Sequence, residues 1–256
     1  MFLSHNIFSM KSYLLLSTVL FAIGVPLSSF AMMPPLVWGD RDAHGCIGSA
    51  GYVWSAPMGQ CIRTWEHYDM KITPPNTGNA KLDTFLQKRS DRVVSGFRRD
   101  AELQLADTGM TTTATSALDI SYTRYGTGRL IVLSRDVYTF LGGAHGISDL
   151  TTYNYDPQSD KFLSLRSVVS PKDLETIARK SQAYFSGALD GYTDAKWLRA
   201  GLAPKYSNYQ NYIFHTDATG KITGITFFFE SYQIAAYAAG QPIITFRLRD
   251  LSVLSE

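Results

Sequence analysis

The residues best suited to chemistry gather around one histidine. His145 stands in the stretch Leu141–Gly146, LGGAHG. Flanking glycines let the backbone come close to a ligand. A general base at this place needs a nucleophile or a substrate within reach. The sequence carries no Gly-x-Ser-x-Gly, Ser-x-x-Lys or His-Glu-x-x-His pattern to supply one. His145 therefore reads first as a structural histidine bonded to the backbone of its own turn. It reads second as a ligand contact, with Gly142 and Gly143 beside it. No catalytic residue is assigned.

Several aromatics are the next candidates. Tyr232 and Tyr237 flank a strand end with Ala238-Ala239-Gly240. Such a ring packs on its face and hydrogen-bonds at its tip, for structure first and ligand stacking second. Tyr206, Tyr209 and Tyr212, with Asn208 and Asn211, fit either a sugar-stacking or protein-binding surface, or an ordinary edge strand. Trp54 and Trp65 beside the cysteines are expected to form a small core, with an exposed indole as the lesser reading. Asp149 and Asp156 offer the two carboxylates that glycoside hydrolysis requires; aspartates at strand ends and turns are the plainer account. Cys46 and Cys61 have His44 and His67 nearby, but neither C-x-x-C nor H-x-x-x-H spacing occurs. No metal or cofactor is expected.

The chain has 256 residues, 45% of them hydrophobic, enough for a sizeable core. Its net charge is +2 and its pI near 8.4, without a run of four Lys/Arg. A nucleic-acid partner is not indicated. Residues 1–31 join one lysine to an apolar run and then Ser29-Phe30-Ala31. That is the layout of a secretory signal peptide cleaved after Ala31, with an uncleaved anchor as the alternative and Met1 or Met10 as the start. After cleavage no membrane span is expected, and the location is periplasmic or secreted. In that setting two cysteines 15 positions apart read as one disulfide, with free thiols or a metal pair as the alternative.

The elements that must position these residues follow from periodicity. Residues 32–70 form a Cys- and Trp-rich module without a long period. Residues 71–78, with Pro74-Pro75-Asn76-Thr77-Gly78, read as a linker or tight turn. Leu82, Phe85, Leu86, Val93, Val94 and Phe97 recur at helical spacing and predict an amphipathic helix over 79–103. Leu118, Ile120 and Tyr122 alternate with polar residues as a strand, paired as a hairpin with an apolar strand over 129–140. Residues 147–155 resume an extended pattern. Ser170-Pro171-Lys172-Asp173 starts a second helix, and residues 194–200 fit a short third one around Trp197. Residues 222–230 and 244–249 are the last strands. The fold class is α+β, a mainly antiparallel sheet packed with two principal helices, preceded by a disulfide-stapled N-terminal module.

Three segments taken together carry a family resemblance: Gly142-Gly143-Ala144-His145-Gly146, then Tyr153-Asn154-Tyr155-Asp156, then Gln233 with Tyr237-Ala238-Ala239-Gly240. Residues 79–256 resemble the C-terminal domain of unknown function of RsiV-type, lysozyme-sensing anti-sigma factors, which also accompanies PdaC-type deacetylases. The resemblance implies an α+β domain outside the cytoplasm that binds lysozyme or cell-wall material. The sigma-binding segment, membrane helix and deacetylase domain of those relatives are not expected here. The front segment resembles a small bacterial Cys-rich module whose other versions have a cysteine where Ser55 stands and another past Trp65-Glu66. The expected function is an exported non-catalytic protein that binds or inhibits a lysozyme-like muramidase or other envelope hydrolase. The alternatives are a peptidoglycan-binding accessory protein and an uncharacterised hydrolase.

Overall fold

A hairpin of β1 (Tyr52–Ser55) and β2 (Gln60–Arg63) opens the fold. The computed structural model describes residues 40–108, 116–126 and 128–251, so the signal-peptide reading lies outside the described residues. Cys46 and Cys61 are joined in a disulfide with their Cα atoms 5.5 Å apart. Closing a loop of this size restricts the unfolded chain, worth roughly 3 kcal/mol in the chain-entropy account. Two strands alone bury little surface, and the hairpin leans on the body. Ser55, fully buried, donates through Oγ to Glu102 Oε2 at 2.8 Å. The Tyr68 hydroxyl donates to the other oxygen of the same carboxylate at 3.3 Å. Burial, then the Glu102 charge, pushes the Tyr68 hydroxyl up to about 12.

Tyr68 begins β3 (Tyr68–Ile72), an edge strand of a five-stranded sheet. The stretch expected as a linker thus starts inside a strand, with Lys71 and Ile72 paired to Asp119 and Ile120. β3 runs parallel to β4 (Ser116–Tyr125). Parallel neighbours need a crossover, and α1 (Ala80–Thr108) lies between them in sequence. Asn79 caps that helix by accepting from the Leu82 amide. Antiparallel β5 (Ile131–Phe140), β6 (Ile147–Asp156) and the short β7 (Lys161–Phe162) complete the sheet in the order β3-β4-β5-β6-β7.

Strand alternation sends successive side chains to opposite faces. One face carries Leu118, Ile120, Leu133, Val137 and Tyr153, which pack with Leu82, Leu86, Phe97 and Ala101 of α1. The other face carries Val132 and Leu150, which share a larger core with a second sheet and α2 (Pro171–Ala188). In α2, Ser170 and Asp173 form a reciprocal capping box, and Leu174, Ile177 and Phe185 are buried. α3 (Ala195–Gly201) follows, with Asp194 accepting from the Lys196 and Trp197 amides. The second sheet has the order β10-β9-β8, from β8 (Tyr212–Thr216), β9 (Ile222–Phe228) and β10 (Ile243–Arg247). The last expected strand is shorter than its alternation suggested, because Leu248 turns into a 3-10 segment. Residues 40–251 belong to one compact unit, and none of their helices is long and apolar enough to cross a membrane.

The two sheets are joined by hydrogen bonds as well as by apolar packing. Asn154 of β6 is buried at 3% exposure. Its Nδ2 donates to Tyr212 O at 2.8 Å, and its Oδ1 accepts from the Phe214 amide at 2.7 Å. Thr152 Oγ1 accepts from the Tyr212 amide at 2.8 Å. Replacing Asn154 by leucine orphans two buried backbone groups of β8. The expected loss is about 2–4 kcal/mol of unfolding free energy, read as a lower urea midpoint; an unchanged midpoint would refute this role.

Candidate binding site

β5 ends at Phe140 and β6 begins at Ile147, and the LGGAHG turn joins them. Gly142 and Gly143 have φ of 92° and 93°, a region that disfavours side chains. A Cβ on Gly142 would also press on the Gln104 amide of α1. His145 Nδ1 lies 2.9 Å from Gly146 O. A carbonyl only accepts, so Nδ1 carries the proton and Nε2 of the neutral ring is the acceptor. Nε2 faces the Tyr232 hydroxyl at 3.5 Å, the outer limit of a hydrogen bond. The His145 ring stacks on Tyr237 with centroids 4.2 Å apart and planes 15° from parallel. Tyr237 in turn lies 6.0 Å from Tyr232.

The segment after β9 reaches this turn because it is pegged at several points. Gln233 Nε2 donates to Gly201 O and Asn208 O at 3.1 and 2.8 Å, and its Oε1 accepts from the Glu230 amide. Trp197 Nε1 donates to Tyr232 O at 3.0 Å. The Ala236 amide donates to Tyr192 O at 2.8 Å. Gly201 admits this approach, since a Cβ there would overlap the Gln233 carbonyl. Tyr232 itself has φ of 66°, a left-handed conformation that is rare for a bulky residue, and its side chain is half exposed.

Beside the rings lies a cleft of about 310 Å³ lined by Asp136, Ser148, Leu150, Ser231, Tyr237 and Gln241. Asp136, Ser148 and Leu150 share one face of β5 and β6, as their pairing register requires. Tyr138, two residues along the same face, is exposed and covers Gly146. Among the described residues no group of three or more His, Cys, Asp or Glu is placed to hold a metal ion.

The structure thus brings His145, Tyr232 and Tyr237 together over the glycine turn. It separates the other candidates. Tyr209 is buried at 1% exposure, with its hydroxyl donating to Leu202 O at 3.0 Å. Tyr206 and Tyr212 likewise donate to the carbonyls of Val169 and Leu163. These tyrosines are internal anchors, because each ring fills core space and each hydroxyl already has a backbone acceptor. Trp54 stacks on His44 at 4.4 Å in the front segment, and Trp65 is 63% exposed, lying over Gly51 instead of in a core. Asp149 and Asp156 fall on opposite faces of β6 by strand alternation and do not form a pair; Asp156 is tied to Arg129. Asp136, Tyr138, Ser148 and Trp197 are site residues that sequence reasoning missed. One signal was present: an aspartate inside the Val- and Leu-rich run of β5.

Burial raises the Asp136 carboxyl above its ordinary value of 3.8; the Ser134 hydroxyl opposes this and the Asp149 charge adds to it. The folded chain therefore holds this proton more tightly than the unfolded chain. Its contribution to stability falls as pH rises from 3.8 through the raised folded value. Asp136→Asn removes that loss. Thermal melts should show the variant more stable than the wild type at pH 7, with the gap closing by about pH 3; a gap independent of pH would contradict the assignment.

No protein-family model matches the chain. Over 186 residues, 70% of this chain, it is 24% identical to the peptidoglycan-N-acetylmuramic acid deacetylase PdaC of Bacillus subtilis (strain 168). That match spans 37% of the length of PdaC. Among solved structures, a DUF3298 family protein from Pseudomonas aeruginosa PAO1 aligns at 20% identity and a TM-score of 0.37, over 59% of this chain and 65% of that one. A DUF3298 family member from Bacteroides fragilis NCTC 9343 aligns at 20% identity and a TM-score of 0.47, over 70% of both chains.

Proposed function

We propose that the body of this chain is a DUF3298-type domain acting outside the cytoplasm as a non-catalytic binding module for a lysozyme-like muramidase or other cell-wall hydrolase. The 186-residue similarity to PdaC supports the domain assignment, and so does the meeting of the glycine turn with the Tyr237 segment. The Cys46–Cys61 disulfide suits an oxidising compartment. The deacetylase activity in the name of PdaC belongs to that protein, and the rest of its length has no counterpart in the match.

One observation carries the binding reading. Tyr232 holds a left-handed backbone that costs a non-glycine residue roughly 1–2 kcal/mol, and its ring is half exposed. Strain of this kind persists where the surroundings impose it, and it clusters at ligand-contacting sites. Here it presents an aromatic ring beside Tyr237, His145 and the exposed Tyr138. Exposed tyrosines on a pegged segment are the residue type that anchors protein interfaces. A stable complex with an enzyme would bury ~1,600 Å² around such an anchor.

The polar lining of the adjacent cleft favours a second reading, a glycan of the cell wall seated on the rings. The two readings separate by experiment. Immobilised full chain should retain lysozyme and reduce its muramidase activity, while soluble muropeptides should leave the melting temperature unchanged; the glycan reading expects the reverse. Tyr232→Gly relieves the backbone strain, so its stability should stay within about 1 kcal/mol of wild type. Affinity for the enzyme should fall about thirtyfold, the loss of a ~2 kcal/mol anchor. Full retention of binding by a folded Tyr232→Gly chain would overturn the proposal.

A further inference from the structure

Among the described residues, Asp136 is the charged side chain that lines the cleft beside the rings. It follows the buried run of residues 131–135 in β5. Ser134, fully buried, donates its single hydroxyl proton to Asp136 Oδ2 at 3.2 Å. The Ser134 oxygen therefore accepts from the Tyr125 hydroxyl at 3.3 Å. This chain fixes the direction of the carboxylate. A carboxylate offers about four acceptor sites, and Asp136 spends one of them on Ser134.

No cation answers that charge. Among the described residues no ion pair joins Asp136 to a Lys or Arg. Arg135, the preceding residue, faces α1 by strand alternation, with Leu133 and Val137. Burial withdraws water from the Asp136 carboxyl and Asp149 adds a like charge; both push it above its ordinary value, against the Ser134 hydroxyl. The pairing register continues the same face across β4 and β3 through Asp119, Lys71 and Asp69. Lys71 lies 3.5 Å from Asp119, so that cation is already matched. The face as a whole is acidic and attracts a basic surface.

The remaining lining suits a long side chain with a planar charged head. Leu150, 6% exposed, and Tyr237 supply an apolar wall for a methylene stem. Ser148, Ser231 and Gln241 also line the space, and their side chains make no hydrogen bond among the described residues. A guanidinium carries five N–H donors and no acceptor. It pairs with a carboxylate in its plane and stacks on aromatic rings. A volume of about 310 Å³ accommodates one such side chain. An ionised carboxyl held partly from water with no cation lowers the stability of the free chain at neutral pH. A guanidinium brought by a partner offsets that cost in the complex.

We infer that the cleft receives the guanidinium of an arginine carried by the bound protein, and that Asp136 is the residue that selects it. The inference rests on the hydrolase-docking reading for the source of the arginine. The preference of the cleft for the cation is measurable without any hydrolase.

The full chain is titrated by nuclear magnetic resonance, at constant ionic strength, with N-acetyl-arginine amide, N-acetyl-citrulline amide and N-acetylglucosamine. Citrulline keeps the shape of arginine without its charge. Saturable shifts with the arginine compound are expected at the amides of Asp136, Ser148 and Gln241, and none at Thr245. The citrulline compound should bind about tenfold more weakly. Asp136→Asn, expected to be more stable than wild type at pH 7, should weaken arginine binding about tenfold, the share of a charge-assisted contact. It should weaken retention of lysozyme to the same degree. Arginine binding by a wild-type chain that retains no lysozyme supports the assignment of the cleft and overturns the docking reading instead. Absence of saturable shifts with the arginine compound, equal binding of citrulline, tighter binding of N-acetylglucosamine, or lysozyme held equally by wild type and Asp136→Asn would overturn the inference.

Discussion

The architecture depends on how β8 is finished. As the outer strand of a three-stranded sheet it has backbone donors and acceptors that no strand pairs. Left open, such an edge invites pairing with another chain; buried and unpaired, it would cost several kcal/mol. Asn154 resolves this with a primary amide that imitates a peptide. It donates to Tyr212 O and accepts from the Phe214 amide. Thr152 satisfies the Tyr212 amide in the same way. The small sheet is thereby fixed over the β5–β6 face by directional bonds, where apolar contact alone would tolerate sliding.

That fixation places the site. β9 pairs with β8, and the segment leaving β9 must then cross the end of β5 and β6. Gln233 and Trp197 hold its path. The path holds Tyr232 in a left-handed backbone with its ring half exposed. Asp136 lines the cleft beside these rings: a carboxyl kept partly out of water, next to the buried run of residues 131–135 on the same strand.

Much of the fold was legible from local signals. Ser170, Pro171 and Asp173 announced α2 through capping chemistry, and the structure shows the reciprocal box. The stripe from Leu82 to Phe97 announced α1, which continues to Thr108 because Ala101 and Leu105 prolong the buried face. The parallel pairing of β3 with β4 was not legible, since it joins residues separated by a whole helix and leaves no local pattern. At the site, the resemblance singled out the turn and the Tyr237 segment, but not what sits between them. Tyr206, Tyr209 and Tyr212 fit either a binding surface or an edge strand from sequence, because tyrosine and asparagine are interspersed there. The hydroxyls of Tyr206 and Tyr212 find backbone acceptors across α2 and α3, at Val169 and Leu163, and that of Tyr209 finds Leu202 at the end of α3; sequence alone cannot show such acceptors. Asn154 stands in one of the segments that carry the resemblance, but its partners Tyr212 and Phe214 lie far along the chain and leave no local pattern.

The front hairpin shows the same substitution of hydrogen bonds for other joints. Ser55 is fully buried and bonded to Glu102 of α1. Tyr68 bonds the other oxygen of that carboxylate. A carboxylate at 8% exposure needs such partners, since an ionised group out of water without them would be costly. The hairpin is therefore stapled to itself once through Cys46–Cys61 and to the helix once through Glu102. A cross-link within the module would stiffen the module alone. The bond to Glu102 instead ties β1 to α1, and Tyr68 carries the tie into the first strand of the large sheet. The exposed Trp65 is presented from a segment whose position is set by the body of the fold.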